Sequence, residues 1–255
     1  MRSHADLPMP LSEHLEELRG RLIRIVLAVG VGFAACYNWA DLVFAFLTRP
    51  LLLIKPDDAT LIGTGVAEAF YTKLKVSLIA GVFLASPVVL FQVWRFVAPG
   101  LYANERRYAV SFAVFGTLCF FLGAAFCYEV IFSVGYRFFL AEYESMGVTP
   151  TLRISEYLSF SGWLLLTFGC IFELPVLTFF LARLGLVTPQ GLLSSWRYSI
   201  VGIFVVAAIL TPPDVASQLL MAAPLLVLYS ISIGLAYLAQ PSRATDAPAP
   251  EKPPE

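Results

Sequence analysis

FQVWRFVAPGLYANERR, residues 91–107, stands between two long apolar stretches and decides how the rest of the chain is read. An aromatic helix end, Trp94-Arg95-Phe96, is stopped by Pro99-Gly100, a pair that cannot continue a regular helix. Asn104-Glu105-Arg106-Arg107 then opens the next apolar run with Glu105 in its first turn, where a carboxylate suits the helix dipole. The segment therefore reads as a tight hairpin that holds a carboxylate at a membrane surface.

The composition around it agrees. Of 255 residues, 58% are hydrophobic and only 14% charged, and the mean hydropathy is +0.77; a soluble domain carries about twice that share of charge. A formal net charge of -1 excludes a nucleic-acid binder on electrostatic grounds. Cys36, Cys119, Cys127 and Cys170 all sit in apolar runs and form no CxxC pair, so neither a disulfide framework nor a zinc site is expected. With two histidines, His4 and His14, a histidine-based metal or cofactor site is not expected either.

A bilayer core of about 30 Å takes about 20 residues of helix. Six candidate spans follow, at about 22–46, 76–98, 108–128, 157–186, 196–210 and 215–238. The fifth offers only about 13 residues from Tyr198, roughly 20 Å, so local thinning of the membrane around the last two spans is expected. With the N-terminus in the cytoplasm, 11 of the 17 basic residues fall on the inner side and 6 on the outer, which favours both termini inside. The fold class is thus an all-α integral membrane protein of six transmembrane helices with short last two spans. A single membrane domain covers 1–238, and residues 239–255, rich in Pro and Ala, form a disordered cytoplasmic tail.

Arg19, Arg21 and Arg24 before Ala34-Ala35-Cys36 imitate a lipoprotein signal, but Glu13, Glu16 and Glu17 make the leading region acidic and the apolar run passes Cys36, so an anchor is expected. Ahead of it, Leu11 onward reads as an interfacial helix with Ser12 at the N-cap and Leu15, Leu18 and Leu22 on one stripe. The segments 47–75 and 131–156 are expected to form short helices over the outer face, with Lys73 and Lys75 paired to Glu68.

Two further features carry chemistry. Glu173, in GCIFELP, lies near the middle of an apolar helix, where an ionised group costs a few kcal/mol, and Pro175 opens the backbone beside it. It reads either as a protonated acid bonded to freed backbone or as a polar site for an incoming group. Thr211-Pro212-Pro213-Asp214 forms a tight turn in which Asp214 caps the last span, and capping alone accounts for that residue.

Together, HLEELRGRL (14–22), Arg49-Pro50-Leu51, SPVVLFQVWRFVAPGLYANERR (86–107), YLSF with FELPV (157–176) and LTPPDVASQ (210–218) closely resemble the TatC family, the multispanning receptor subunit of the twin-arginine protein translocase. The resemblance covers the chain to about residue 238. It implies a concave, glove-like bundle in the cytoplasmic membrane. It also implies a non-enzymatic receptor that recognises twin-arginine signal peptides of folded cargo and works with the proton-motive force. Glu17 and Glu105 match the residues that receive the arginine pair, and Arg19 and Phe96 match positions linked to signal-peptide handling. Pro50 matches an outer-loop position needed for a working receptor, and Pro99 closes the inner hairpin. Glu173 matches the acid of the concave face, and Gln218 belongs to the region where the single-span partners TatA and TatB dock. Self-association within the complex is implied as well.

The carboxylate chemistry fits the task, because a guanidinium pairs bidentately with a carboxylate and two such pairs read two arginines together. Without the resemblance, Glu17 reads as an i,i+4 partner of Arg21 and Glu105 as a helix cap. Ser133 stands where the family commonly has a proline, Gly65 where some relatives carry an acid, and Glu129 has no assigned role. A proton-coupled small-molecule transporter using Glu173 as its relay is the alternative; it calls for a repeat of broken helices that the sequence does not display. The absence of an HExxH motif or a membrane-embedded aspartate pair leaves an intramembrane protease without support.

Overall fold

The computed structural model describes residues 11–55, 60–97, 108–211 and 214–239. The first helix, α1 (Leu11–Tyr37), is unbroken. The expected surface segment and the first span are therefore one helix, and Ser12 lies inside it rather than at its N-cap. Leu15, Leu18 and Leu22 are exposed, as is most of the apolar length of α1, which is the pattern of a helix bathed in lipid. The span stops at Tyr37, short of the expected Phe46, because a turn at Asn38-Trp39 sends the chain into α2 (Ala40–Leu52).

The next helix, α3 (Glu68–Val97), has 30 residues and begins at Glu68 rather than near Val76. At 1.5 Å per residue it is about 45 Å long, so its first turns, with Glu68, Lys73 and Lys75, extend beyond a hydrocarbon core of about 30 Å. It packs mainly on α1, and the two backbones touch at Gly32 and Gly81. A Cβ on Gly32 would fall 2.5 Å from the Gly81 carbonyl oxygen, so neither position tolerates a side chain at this crossing.

The third apolar rod continues further than expected. After α4 (Tyr108–Phe126) comes a π-helical turn, Cys127–Ile131, and then α5 (Phe132–Ser145). The segment after Ile131 is thus a continuation of the span and not a set of short surface helices, because Phe132, Gly135, Tyr136 and Leu140 give α5 a buried stripe. Beyond it, β2 (Thr151–Arg153) pairs in parallel with β1 (Thr60–Ile62), Leu61 opposite Leu152. The fourth span is split into α6 (Ile154–Ile171) and α7 (Leu174–Arg183) by a turn at Phe172-Glu173, with Pro175 in the first turn of α7. Thr188 caps the short α8 (Pro189–Ser194) by accepting from the Gly191 N–H at 3.1 Å. The last two helices are α9 (Trp196–Leu210) and α10 (Val215–Ala239).

Five helical segments among the described residues are long and apolar enough to cross a membrane, and α9, with 15 residues, is the short one. Their main core gathers Phe168, Leu164, Phe132, Leu51 and Met221 from α6, α5, α2 and α10. A smaller aromatic core, Trp94, Ala113, Val176 and Phe180, joins the ends of α3, α4 and α7.

Two of the prolines inside helices, Pro50 and Pro87, are matched by hydroxyls. Pro50 cannot donate to the carbonyl of Phe46, and Tyr128 donates its hydroxyl to that oxygen at 2.8 Å. Pro87 leaves the Phe83 carbonyl, which Ser86 takes at 2.7 Å. Arg49-Pro50-Leu51 therefore lies within a helix and not in an outer loop.

The lysine pairing expected with Glu68 does not occur. The Glu68 carboxylate accepts the backbone N–H groups of Thr64, Gly65 and Ser155, which tie the two strands to α3. Lys75 donates to the Ser159 hydroxyl at 2.8 Å. Lys73 sits 3.9 Å from Asp41 and over the ring of Tyr37.

Candidate functional site

Glu173 occupies the break between α6 and α7, where its N–H bonds the Cys170 carbonyl at 3.1 Å and its own carbonyl receives Leu177 at 2.8 Å. The side chain reaches across to α4 at Gly116. Both carboxylate oxygens are buried, and neither has a hydrogen-bond partner among the described residues. The Trp94 indole nitrogen approaches the same point from α3. Around it, Trp94 stacks on Phe112 at 5.4 Å, and Phe180 meets both rings edge-on. A carboxyl in such surroundings is held either by a proton or by a donor brought from outside, since an unpaired buried charge is costly. The protonated acid bonded to freed backbone is not what the geometry contains.

The end of α3 that carries Trp94 and Phe96 is also tied to α1. Arg21, only 6% exposed, pairs with Glu17 through its Nε at 3.1 Å and its Nη2, and its Nη1 donates to the Gln92 carbonyl at 3.4 Å. The i,i+4 pair anticipated from sequence is therefore present, and it is also a tertiary contact. Arg19 is exposed and Phe96 half-buried. Pro99 and Glu105 lie outside the described residues, as does the tail from 240.

The other candidates lie elsewhere. Pro50 is buried in α2. Gln218 donates from its side chain to the Phe204 carbonyl at 3.0 Å and fastens α10 to α9. Asp214 caps α10, its Oδ1 accepting the Ser217 N–H at 2.7 Å while Oδ2 takes the Ser217 hydroxyl. These bonds, the hydroxyl first, hold its carboxyl below the usual range. Sequence reasoning missed Gly116 and Trp94 as parts of the Glu173 site, and it had Arg21 as the partner of Glu17 without its reach to Gln92. A glycine amid Phe and Leu in an apolar helix was the available sign of the first.

A bundle of apolar helices, one of them broken at a buried carboxyl that has no hydrogen-bond partner among the described residues, defines a polytopic membrane protein built around an intramembrane acid. The comparisons give the family. Residues 13–224 match the family model of the Sec-independent protein translocase protein TatC. The Sec-independent protein translocase protein TatC of Azotobacter chroococcum is 45% identical over 232 residues, 91% of each chain. That of Desulforapulum autotrophicum is 44% identical over 88% of this chain and 83% of its own. That of Escherichia coli K12 is 40% identical over 88% and 86%. A crystal structure of the twin arginine translocase receptor TatC superposes with a TM-score of 0.80 at 39% identity, covering 89% of this chain and 99% of that one. The chain belongs to the TatC family, and it is a transport subunit of the Sec-independent protein translocase.

Proposed function

We propose that this chain is the receptor of the translocase, binding twin-arginine signal peptides of folded cargo at the cytoplasmic face of the inner membrane and assembling with TatA- and TatB-type single-span subunits. In this reading the chain has six spans with α9 as the fifth, both termini are cytoplasmic, and export draws on the proton-motive force. Glu17 and Glu105 receive the two guanidinium groups, Arg19 and Phe96 flank the peptide, and Glu173 and Gln218 face the intramembrane partners. Pro99 and Asp214 shape the loops that hold these faces, and Pro50 acts from within α2.

The observation that carries the reading is the bridge from Glu17 through Arg21 to Gln92. It holds a carboxylate of α1 against the end of α3 from which the chain runs, within a few residues, to Glu105. Two carboxylates at one membrane surface are what a pair of adjacent arginines requires. The buried acid at Glu173 supplies a second, deeper polar site for whatever follows the arginines into the membrane.

The test is photo-crosslinking from a probe at Glu105 to a signal peptide with two arginines or with two lysines. Crosslinking to the arginine peptide alone is expected, because lysine keeps the charge and loses the planar fork. Equal crosslinking would reduce the site to a generic basic-peptide surface, and none to either would return Glu105 to a helix cap.

A further inference from the structure

Glu129 and Ser133, which the receptor reading leaves without a role, line one small hollow together with two arginines. The hollow has a volume of about 320 Å³ and lies between the end of α2 and the π-helical turn of the third rod. Arg49 comes from α2, Arg137 from α5 one and a half turns beyond the π turn, and Glu129 from the turn itself. Neither guanidinium has an ion pair or hydrogen bond with any described residue, although both are within reach of the same space. One carboxylate against two cations leaves the hollow with net positive charge.

A second hollow, of about 590 Å³, abuts the first and is almost wholly apolar. Val43, Ile79, Phe83, Leu84 and Phe121 line it, from α2, α3 and α4. The two share Phe46, Tyr128 and Glu129. Phe46 and Tyr128 are stacked face to face, 4.4 Å between centroids, and the Tyr128 hydroxyl is fixed on the Phe46 carbonyl, so this shared wall is rigid. The π turn swings Tyr128 and Glu129 to this wall, and such turns recur where a helix is bent to a functional purpose. Order and polarity then agree: an apolar slot that begins at Cys36 near the end of α1, a neck, and a cationic chamber at the C-terminal end of α2.

We propose that the paired hollows bind one phospholipid, with an acyl chain in the apolar slot and the phosphate on Arg49 and Arg137. A phosphate accepts from planar guanidinium forks with favourable geometry, and the Ser133 hydroxyl adds a donor beside them. Glu129 sets the class of lipid. It sits at the neck, where a fatty acid would place its carboxylate and meet like charge, whereas a phospholipid places neutral ester oxygens there and carries its anion further, to the arginines. The bound lipid would wedge α2 against the third rod and so set the position of Pro50.

The test uses the full chain in nanodiscs of phosphatidylethanolamine and phosphatidylglycerol, doped with a phosphatidylglycerol that bears a diazirine on one acyl chain, with the labelled residues mapped by mass spectrometry. Labelling of Phe83, Leu84 or Phe121 is expected. Arg49→Gln with Arg137→Gln should lower it about tenfold, the scale of losing charge-assisted hydrogen bonds. Arg153→Gln, which removes an exposed cation outside the hollows, should leave it unchanged. Because both guanidinium groups are exposed and make no ion pair or hydrogen bond with any described residue, the double variant is expected to unfold at the same temperature as the parent. Ala80→Phe, which fills the slot, should also reduce labelling. A diazirine fatty acid of equal chain length should label these residues weakly. Labelling indifferent to the arginine pair would overturn the proposal, as would equal labelling by the fatty acid. A benzophenone placed at Ser133 that captures a polypeptide instead of lipid in native membranes would also overturn it.

Discussion

The carboxylate of Glu173 rests on Gly116: a Cβ at that glycine would stand 2.8 Å from Oε2 and 3.2 Å from Oε1. The room for the acid is thus made on a different helix from the one that carries it. Had residue 116 been alanine, the acid would have been pushed off α4 and away from the Trp94 indole. Gly116→Ala should therefore destabilise the fold by about 1–3 kcal/mol, the usual cost of overpacking. The same substitution in a Glu173→Ala background should cost less, because the two clashing oxygens are gone and the Trp94 indole nitrogen, 3.0 Å from the Cβ, is the remaining close atom. Equilibrium unfolding of the four proteins in detergent measures both numbers, and equal costs in the two backgrounds would separate Gly116 from Glu173.

Glu17 needs a control of its own, because Glu17→Ala strands Arg21. The arginine is buried, and losing its carboxylate leaves a guanidinium with only the Gln92 carbonyl among the contacts described above. A loss of about 1–3 kcal/mol is expected, less than for a fully buried pair because Glu17 is partly exposed. Glu17→Ala combined with Arg21→Met should regain most of that stability. If Glu17 receives a guanidinium from the cargo, export of a twin-arginine substrate stays impaired in the stable double variant. Export that recovers along with stability would make Glu17 a purely structural partner of Arg21.

Much of this was legible in the chain. Apolar run length gave α9 and α10 to within a residue, since Pro212-Pro213 in the sequence bars α9 from continuing and Asp214 caps α10. The errors cluster at the other end of the bundle. The first span is shorter than its apolar run because Asn38 and Trp39 are ordinary residues and the turn they make is visible only in the backbone. The third is longer than its apolar run because its continuation past Cys127 is amphipathic rather than uniformly apolar, being covered by α2 on one side. Glu68 has lysines near it in sequence, while its donors are backbone N–H groups brought by the strand pairing of Thr60–Ile62 with Thr151–Arg153. Glu173 announced itself as an acid in an apolar helix. Its setting against Gly116 could not be read, because contacts across helices leave no periodic mark.

At the head of α10, Asp214 supplies an acid-sensitive contact. Its carboxyl is held below the usual range by Ser217, whereas in the unfolded chain it titrates near about 3.9. A carboxylate with a depressed folded-state value stabilises the fold fully above the unfolded value, and the contribution fades as pH falls below it towards the folded one. Thermal unfolding between pH 7 and pH 3 should therefore show a loss of stability below about pH 4 that is smaller in Asp214→Asn, which keeps a capping oxygen but does not titrate. Parallel curves for the two proteins would place the acid sensitivity elsewhere.

Pro50 and Tyr128 form the last testable pair. Proline in α2 frees the Phe46 carbonyl, and the Tyr128 hydroxyl uses it to dock α2 on the third rod while the two rings stack. If the freed carbonyl is the purpose of the proline, the two residues are coupled. Tyr128→Phe keeps the stacking and loses the bond, at about 1 kcal/mol. Pro50→Ala restores an intrahelical donor to the same oxygen, so Tyr128→Phe in that background should cost well under half as much. A double-mutant cycle of unfolding free energies gives the coupling directly. A value near zero would mean that the hydroxyl binds the carbonyl equally well with a helical N–H present, and Pro50 would then act through the shape of α2 alone.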